Sequence, residues 1–498
     1  MDETFHLLHT CVLRGFFRVV LFSYLISIYI GPHDVYCTYL PVNIDNCGGL
    51  AATTMFPPMR STVPAQFIRA SRKFATASPV IGHARNHKVV VVGAGSAGLA
   101  ISHQLLRQGK FGQDDIAVID PATWHHYQPG WTLVGGGLKQ KDSLRNPLSS
   151  LIDPKLRFYN TGVKGFSPDD SFITLSNGDS INYDHLVVVP GIKVDYDSVK
   201  GLPEALANPD SLVSSTYAYD HCDKVFTKIR KFQQGKAIFT QPAGIIKCAG
   251  APQKIMWLAL DHWRRAGLYN VTDPSRSAIN ISFATGLPTM FGVPKYSAKL
   301  EELRKERSVQ GLFQHNLIAI DGNTATFTTA DGESQAKKEF DFLHVVPLNR
   351  PHNFVKDSVL SNDAGYVDVN EGTTRHKKFQ NVWSAGDASS LPTSKTVAAI
   401  TGQAPVLVRN LLSCIDSKEP EAIYDGYTSC PLTTEYGKVL LAEFKYGGEP
   451  KETFHSWFGI DQAVPRRSFY IMKKHFFPWV YDKYMVKGTW GGPKGWIN

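Results

Sequence analysis

A β-strand, a glycine-rich turn and a helix follow one another near the start of the foldable part of the chain. The run HKVVVVGAGSAGLAISHQLLRQG places Gly93, Gly95 and Gly98 at GxGxxG spacing. The first glycine permits a tight turn, the second lets the backbone approach a pyrophosphate, and the third lets the helix pack on the strand. The next strand, DIAVID, ends in Asp120, a carboxylate that can bind a ribose hydroxyl. The sequence therefore predicts a dinucleotide site at the N-terminus of this helix.

A second glycine motif follows much later in the chain. The run NVWSAGDASSLPTSKT reads as a strand that ends in Gly386 and Asp387 and leads into a helix. A chain that leaves its first nucleotide fold and later returns to it has the layout of a flavoprotein with two dinucleotide-binding domains. In that layout the returning aspartate binds the ribityl chain of the flavin. We therefore expect an α/β fold with two Rossmann-like domains, and FAD rather than NAD at the first site.

The inserted region, roughly residues 206–340, is expected to form the second nucleotide fold. Its first strand leads into QPAGIIKCAGAP, which has no GxGxxG, and its next strand, INISFAT, ends in Thr285 with no acid for a ribose. The fold is thus retained while the residues that would bind a pyridine nucleotide are missing. Cys248 stands close to where the phosphates would lie, so we expect a thiol to handle the electron donor.

Cys248 has neighbours that favour a reactive thiol. It precedes a predicted helix, APQKIMWLAL, and lies between Lys247 and the more distant Lys254. A helix N-terminus and nearby cations lower the pKa of a thiol and increase its thiolate fraction. A thiolate can attack sulfur or a flavin carbon. The alternative is a small buried apolar residue, which is the commonest environment of a cysteine.

Charge is concentrated at the two ends of the chain. The 498 residues carry a net charge of +9, with six basic and no acidic side chains in residues 56–90 and seven basic side chains against one acid in residues 464–498. A nearly neutral middle argues against nucleic-acid binding and favours targeting and a membrane surface. The stretch from Met55, rich in Arg and Ser and free of acids, has the composition of a mitochondrial presequence. The start codon, Met1 or Met55, stays open.

The seven cysteines form no CxxC pair, which argues against a disulfide framework and a zinc site. No His, Cys, Asp and Glu cluster has metal-ligand spacing, so we expect no metal.

The C-terminal stretch RRSFYIMKKHFFPWVYDKYMVKGTWGGPKGW interleaves aromatic and basic residues. This pattern suits a segment that lies in a lipid headgroup layer. The alternative is an aromatic helix that packs on the protein's own core.

Several longer motifs resemble the mitochondrial sulfide:quinone oxidoreductases over nearly all of residues 86–493. They are HHYQPGWTLVGGGLKQ, KGLPEAL, IKCAGAPQKIM, FGVPKY, LPTSKT, YDGYTSCPL, LAEF and GTWGGP. The resemblance implies a monotopic enzyme of the inner mitochondrial membrane with non-covalent FAD. Such an enzyme oxidises sulfide to a persulfide or sulfane-sulfur product, with a small thiol or sulfite as sulfur acceptor, and passes two electrons to ubiquinone. It implies that Cys248 faces the flavin, and that the two glycine motifs bind FAD.

One departure from the family pattern concerns the second cysteine, which we expect directly after the second glycine motif. This chain has Ala388 there. Three alternatives follow: Cys222 or Cys430 substitutes, Cys248 works with an external thiol, or the chain has drifted from sulfide oxidation. We expect Cys248 to be essential, to act without Cys222 or Cys430 as its partner, and Cys430 to be a structural thiol.

Other polar residues are weaker candidates. Lys395, in PTSKT, would start a helix near the flavin and stabilise a reduced ring or contact quinone, unless it is a solvated first-turn lysine. His125 and His126 are adjacent and are expected to be structural.

Two further functions stay open. One is a type II NADH:quinone dehydrogenase, which the missing second glycine motif opposes, and the other is a flavin-binding scaffold without turnover.

The expected organisation has five parts. They are a leader at residues 1–88, the first part of the FAD domain at 89–205, the second Rossmann-like domain at 206–340, the second part of the FAD domain at 341–425, and a membrane and quinone region at 426–498.

Overall fold

Strand β1 opens the part of the chain that the computed structural model describes, residues 85–497. The predicted presequence and the choice between Met1 and Met55 lie outside these residues. The strands are β1 Arg85–Val92, β2 Ile116–Ile119, β3 Trp124–His126, β4 Arg145–Pro147, β5 Arg157–Tyr159, β6 Val163–Ser167, β7 Phe172–Leu175, β8 Ser180–Val188, β9 Ile192–Asp195, β10 Val213–Ser214, β11 Gly235–Gln241, β12 Ile279–Thr285, β13 Gln310–Phe313, β14 Asn316–Asp321, β15 Thr324–Thr328, β16 Gln335–Glu339, β17 Phe342–His344, β18 Leu348–Pro351, β19 Val382–Ser384, β20 Thr428–Glu435 and β21 Lys438–Phe444.

The α-helices connect or cover these strands. They are α1 Ser96–Arg107, α2 Trp131–Gly135, α3 Leu202–Ala207, α4 Tyr219–Lys231, α5 Ala251–Arg265, α6 Pro294–Glu306, α7 Asn353–Lys356, α8 Val397–Ile415, α9 Thr453–Phe458, α10 Arg467–Ile471 and α11 Phe477–Val480.

The first sheet contains the expected dinucleotide fold. Its strand order is β5-β2-β1-β8-β7-β6, and β19 also pairs with β8. The pairs of β1 with β2 and β8, and of β19 with β8, are parallel. The second half of β1, Val89 to Val92, is a continuous apolar run because these residues are buried on both faces of the sheet. Helices α1 and α8 pack on this sheet through a shared core that includes Leu99, Ile101, Leu407 and Leu411. The later part of the chain thus returns to the first sheet, as the two glycine motifs predict.

The second sheet is entirely parallel, in the order β10-β17-β11-β12-β13. It takes one strand, β17, from just beyond the expected boundary at residue 340. Helix α5 is buried along most of its length, and Trp257 and Trp263 are fully enclosed against this sheet. The parallel strand pairs of the first sheet and the entirely parallel second sheet agree with the α/β, two-dinucleotide-domain fold class.

An antiparallel hairpin, β20–β21, packs against α5. Leu432 and Leu440 of the hairpin belong to the same apolar core as Met256 and Trp257 of α5. This packing brings Cys430, in the middle of β20, next to the start of α5.

Helix α8 is, among the residues that the structure describes, the one helix long and apolar enough to span a membrane. More than half of its apolar window is buried inside the protein. Ala404, Leu407 and Leu411 face the core that α8 shares with α1. Its hydropathy is therefore accounted for by core packing.

The C-terminal helical segment, residues 467–485, is helical throughout. Between α10 and α11, and again after α11, the helix widens into π turns, Met472–Phe476 and Tyr481–Met485. Its inner side chains are buried, while Trp479 is exposed. One face of this stretch thus packs on the protein's core and another presents an aromatic ring to the surroundings, while its placement in a lipid headgroup layer stays a prediction.

Candidate active site

The three glycines of the first motif have three distinct environments. A Cβ atom at Gly93, where φ is +102°, would lie 2.6 Å from the carbonyl oxygen of Val189, and one at Gly98 would lie 1.8 Å from that of Gly93. A Cβ atom at Gly95 would meet nothing within 4 Å. Gly93 and Gly98 are therefore required by the turn and by helix packing, whereas Gly95 borders open space. This open space is a cradle that fits a pyrophosphate.

Asp120 lies beside this turn and holds it in place. One carboxylate oxygen accepts a hydrogen bond from the backbone N–H of Ala94 at 2.7 Å, and the other accepts from the N–H of Ala122 at 2.8 Å. Each oxygen retains a further lone pair for a ribose hydroxyl. The bond to the turn is a second role for Asp120 that sequence reasoning did not find.

The second motif lies where β19 ends beside β8. Gly386 adopts φ +66°, and its N–H donates to the side-chain oxygen of Gln403 on α8 at 2.7 Å. Burial raises the pKa of Asp387, while Lys247 and Lys395 act in the opposite direction. Gln403 gave no sequence signal because its partner precedes it by 17 residues, most of them in a loop.

Cys248 has a left-handed backbone conformation, φ +54°, which is unusual for a residue other than glycine. Its N–H donates to the carbonyl of Lys395 at 2.8 Å, and its carbonyl accepts from the N–H of Ala251 at 2.7 Å. The hydroxyl of Tyr217 donates to the carbonyl of Lys247 at 2.8 Å. Such a conformation costs on the order of 1–3 kcal/mol and persists where surrounding contacts enforce it, commonly at functional sites.

The nearest thiol to Cys248 is Cys430. Their sulfur atoms lie 3.7 Å apart, and the Nζ atom of Lys254 lies 3.1 Å from the Cys248 sulfur. Cys430 is fully buried, whereas Cys248 keeps some exposure. A hydrogen bond from the Cys430 thiol, together with the charge of Lys254, holds the pKa of Cys248 well below its ordinary value. The same contact and burial raise the pKa of Cys430.

A second cation, on the C-terminal helical segment, interacts electrostatically with the thiol pair. Lys473, in the first π turn, is buried, and burial together with the charge of Lys254 lowers its pKa to about 7. Cys248 and Cys430 oppose this shift. Sequence reasoning assigned this lysine to a membrane-facing pattern, because nothing local distinguishes it from the neighbouring Lys474.

The remaining described cysteines lie apart from the pair. Cys222 donates to the carbonyl of Tyr219 at 3.5 Å, and burial raises the pKa of Cys222 to about 12. Cys414 lies near the end of α8. Within residues 85–497, no group of three or more His, Cys, Asp or Glu side chains could hold a metal ion.

Lys395 is buried and immediately precedes the N-cap residue of α8, Thr396, so it is not a solvated first-turn lysine. Its Nζ atom donates to the carbonyl of Ser389 at 2.6 Å and lies 5.0 Å from the ring centre of Tyr366. Burial lowers the pKa of Lys395 to about 8, and Asp387 acts in the opposite direction. Its backbone carbonyl also fixes Cys248, so Lys395 links the second glycine motif to the thiol.

His125 is buried and His126 packs against Trp131 and Tyr219, and both lie on the short strand β3. The cradle at Gly95, the half-buried carboxylate of Asp387 and the thiol pair form a donor set that fits a flavin dinucleotide. A thiolate beside a second thiol and two lysines can form and break sulfur–sulfur bonds.

Comparisons with known proteins identify relatives. No protein-family model matches the chain. It is 44% identical over 432 residues to the mitochondrial sulfide:quinone oxidoreductase of Schizosaccharomyces pombe, which covers 83% of this chain and 93% of that protein. It is 41% identical over 415 residues to the mitochondrial sulfide:quinone oxidoreductase of Dictyostelium discoideum, with 82% and 88% covered.

Solved structures share the fold at lower identity. A chain of the mitochondrial ATP synthase of Tetrahymena thermophila superposes with a TM-score of 0.70 at 21% identity, covering 83% of this chain and 98% of that one. The sulfide:quinone oxidoreductase of Aquifex aeolicus superposes with a TM-score of 0.64 at 17% identity, covering 80% and 91%. These two likenesses concern the fold alone.

Proposed function

Because the chain belongs to the family of mitochondrial sulfide:quinone oxidoreductases, we propose that it oxidises sulfide and passes the electrons to ubiquinone at the inner mitochondrial membrane. The observation that carries this proposal is the pair Cys248 and Cys430, whose sulfur atoms lie 3.7 Å apart beside Lys254. A second thiol in contact with Cys248 supplies the partner that Ala388 does not. We expected Cys248 to act alone; its contact with Cys430 favours substitution by Cys430 instead.

The thiol chemistry begins from a bond between the two sulfurs. Hydrosulfide attacks this Cys248–Cys430 disulfide, so that one cysteine becomes a persulfide and the other leaves as a thiolate. A small thiol or sulfite then takes the outer sulfur, which leaves two reduced cysteines. Re-forming the disulfide releases two electrons and the remaining thiol protons. The low pKa makes Cys248 the better leaving group, which assigns the persulfide to Cys430.

A flavin, which we propose to be FAD, would take up these two electrons and release them to the quinone. The chain's own residues would bind it at both ends: the turn around Gly95 at the pyrophosphate, Asp120 at a ribose hydroxyl, and Asp387 at the ribityl chain. Lys395 would place a positive charge near the flavin ring, and its backbone carbonyl orients Cys248. This assignment supports a catalytic role for Lys395 as well as for Cys248.

NADH is not the expected donor. The loop after β11 packs against the loop after β12, and a Cβ atom at Gly286 would lie 2.4 Å from the backbone nitrogen of Ala243. Those loops occupy the carboxyl ends of parallel strands, where a nucleotide would bind in a Rossmann fold. Close packing there, together with the missing glycine motif, opposes the type II NADH dehydrogenase alternative.

Anaerobic stopped-flow mixing tests the proposal. The flavin absorbance of the purified protein should decrease during the stopped-flow measurement when the protein is mixed with sulfide. Mixing with NADH at the same concentration should leave the flavin absorbance unchanged. Cys248→Ser and Cys430→Ser should each abolish reduction by sulfide, because a hydroxyl at neutral pH is a far poorer nucleophile and leaving group than a thiolate. Cys222→Ser is the matched control and should react normally.

Two outcomes would contradict the proposal. Rapid bleaching by NADH would identify a different electron donor. Full reactivity of Cys430→Ser with sulfide would return Cys430 to a structural role and leave an external thiol as the partner of Cys248.

A further inference from the structure

A closed set of hydrogen bonds connects the first glycine turn to the C-terminal helical segment. The hydroxyl of Tyr481 lies 2.6 Å from Nε2 of His125 and 2.7 Å from the hydroxyl of Ser96. Nδ1 of the same histidine lies 3.2 Å from the carbonyl oxygen of Ala94. These atoms come from three distant parts of the chain, and the set begins and ends on the glycine turn.

The proton positions in this set follow from its chemistry. A carbonyl oxygen only accepts, so Nδ1 of His125 donates to Ala94. Burial lowers the pKa of His125 to about 4, so the imidazole is neutral at physiological pH and its Nε2 atom accepts. Tyr481 therefore donates to His125, and Ser96 donates to the oxygen of Tyr481. Every donor in the set has one acceptor.

Gly95 lies between the two bonded residues of the turn, Ala94 and Ser96. It is also the glycine that borders the open cradle, because a Cβ atom there would meet nothing within 4 Å. Fixing the residues on either side of Gly95 fixes the orientation of the peptide groups around it. Those peptide groups are the ones that a pyrophosphate at the start of α1 would contact.

Contacts with the C-terminal part of the chain continue along α1. Nδ1 of His103 donates to the carbonyl of Val486 at 2.7 Å, and its Nε2 atom accepts from the N–H of Asp153 at 3.3 Å. A Cβ atom at Gly488 would lie 2.5 Å from the backbone nitrogen of Gln104. The C-terminal part therefore packs closely on the helix whose N-terminus forms the cradle.

We propose that Tyr481 is a positioning residue for the flavin dinucleotide, and that flavin binding and docking of the C-terminal helical segment stabilise each other. This inference rests on the proposed binding of FAD. Linkage requires the effect to be reciprocal: a docked segment raises the affinity for the dinucleotide, and a bound dinucleotide holds the segment in place. The same segment carries Lys473 to the thiol pair and exposes Trp479. Loss of the cofactor thus weakens the docking of the part of the chain that serves the thiols and the membrane.

The first test measures affinity for FAD in the full chain after removal of its flavin. Tyr481→Phe keeps the ring and removes the hydroxyl, and we expect the dissociation constant for FAD to rise roughly 3- to 10-fold, as for the loss of one hydrogen bond. Tyr484→Phe is the matched control, since Tyr484 lies on the same π turn outside the hydrogen-bonded set. Ser96→Ala should weaken binding similarly, and adding it to Tyr481→Phe should cost little more, because the two hydroxyls act as one unit.

The second test separates positioning from general loss of stability. Trypsin should cleave after Lys483 or Lys487 faster in the flavin-free protein than in the FAD-bound protein. This protection by FAD should be smaller in Tyr481→Phe and normal in Tyr484→Phe. The thermal midpoint of Tyr481→Phe should fall more in the FAD-bound protein than in the flavin-free protein.

The outcomes are distinguishable from failure of the proposed function. A wild-type protein that binds no FAD would refute the cofactor assignment. A wild-type protein that binds FAD, together with a Tyr481→Phe variant of equal affinity and equal protection, would overturn this inference alone. Equal losses of thermal midpoint with and without FAD would also overturn it, because they would indicate a merely structural tyrosine.

Discussion

The sulfur of Cys430 lies 3.7 Å from the sulfur of Cys248, although 182 residues separate the two cysteines in the chain. The contact exists because hairpin β20–β21 packs on α5, immediately after the loop that carries Cys248. Cys248 lies in this loop with a left-handed backbone conformation, φ +54°. Cys430 thus supplies a second thiol next to Cys248, whereas the position directly after the second glycine motif, where that thiol was expected, holds Ala388.

The thiol pair should be detectable as a covalent bridge. We expect protein purified in air to yield a peptide cross-link between Cys248 and Cys430 that contains two or three sulfur atoms and is lost on reduction. A bridge needs only a small approach from 3.7 Å to the ordinary bond length of about 2.05 Å. Mass spectrometry of alkylated digests measures it. Cys222 and Cys414 serve as internal controls and should be alkylated as free thiols; Cys430 recovered as a free thiol throughout would contradict the prediction.

Lys473 should control the reactivity of Cys248. Replacing it with methionine removes a cation that favours the Cys248 thiolate, so we expect alkylation of the reduced protein by iodoacetamide at pH 6.5 to slow roughly threefold. The difference from wild type should shrink above pH 8, because the pKa of Lys473 is about 7 and the wild-type lysine is then neutral. Lys474→Met is the matched control. Identical pH profiles for wild type and Lys473→Met would be evidence against this role.

The same lysine predicts a pH dependence of stability. Its folded pKa, about 7, lies below its ordinary value of 10.5, so the unfolded chain binds more protons than the folded chain between these values. The free energy of unfolding should therefore increase as the pH rises from about 7 to 10.5. Below pH 7 the destabilisation by the buried charge is fully present. Lys473→Met removes this contribution. Denaturant titrations at pH 6 and pH 10 should show a larger stabilisation by Lys473→Met at pH 6, and an equal effect at both would refute the buried charge.

Substitutions at two glycines of the first motif should have different effects, one on flavin binding and the other on folding. Gly95→Val places a side chain into open space, so the protein should fold but lose its flavin. Gly98→Ala brings a methyl group within 1.8 Å of a backbone oxygen, so it should destabilise the fold itself. Circular dichroism and flavin absorbance of both purified variants measure the contrast. A flavin-loaded Gly95→Val protein would place the pyrophosphate elsewhere.

Trp479 should contribute to membrane binding. Deleting residues 464–498 would also remove Lys473, Tyr481 and buried core side chains, so a point substitution is the sharper experiment. Trp479→Glu should weaken binding to phosphatidylcholine vesicles with 20% cardiolipin about tenfold, which corresponds to ~1.4 kcal/mol. Ile423→Glu is the control, because Ile423 is an exposed apolar residue in another part of the chain. Equal cosedimentation of Trp479→Glu and wild type would place the membrane contact on another surface.

Much of the flavin-binding part could be predicted from the sequence. Gly93, Gly95 and Gly98 lie within a few residues of one another, and each has the environment that its place in the motif predicts. The second motif was also recognisable, although its partner Gln403 was not. Lys395 illustrates an intermediate case: its position before a helix was correct, while its burial depends on the carbonyl of Ser389 and on the ring of Tyr366.

The sequence by itself determined the glycine turn, the returning Gly-Asp motif, the missing second nucleotide motif and the position of Cys248 before a helix. These features are local, because the spacing of a few residues dictates the backbone they can form. The tertiary structure decided that Cys430 is the thiol nearest to Cys248, that Lys473 is buried and interacts electrostatically with the pair, and that Tyr481 bonds to Ser96. These contacts join segments far apart in the chain. Packing of β20–β21 on α5 and of the C-terminal helical segment on α1 creates them, and no local pattern records which distant side chains such packing brings together.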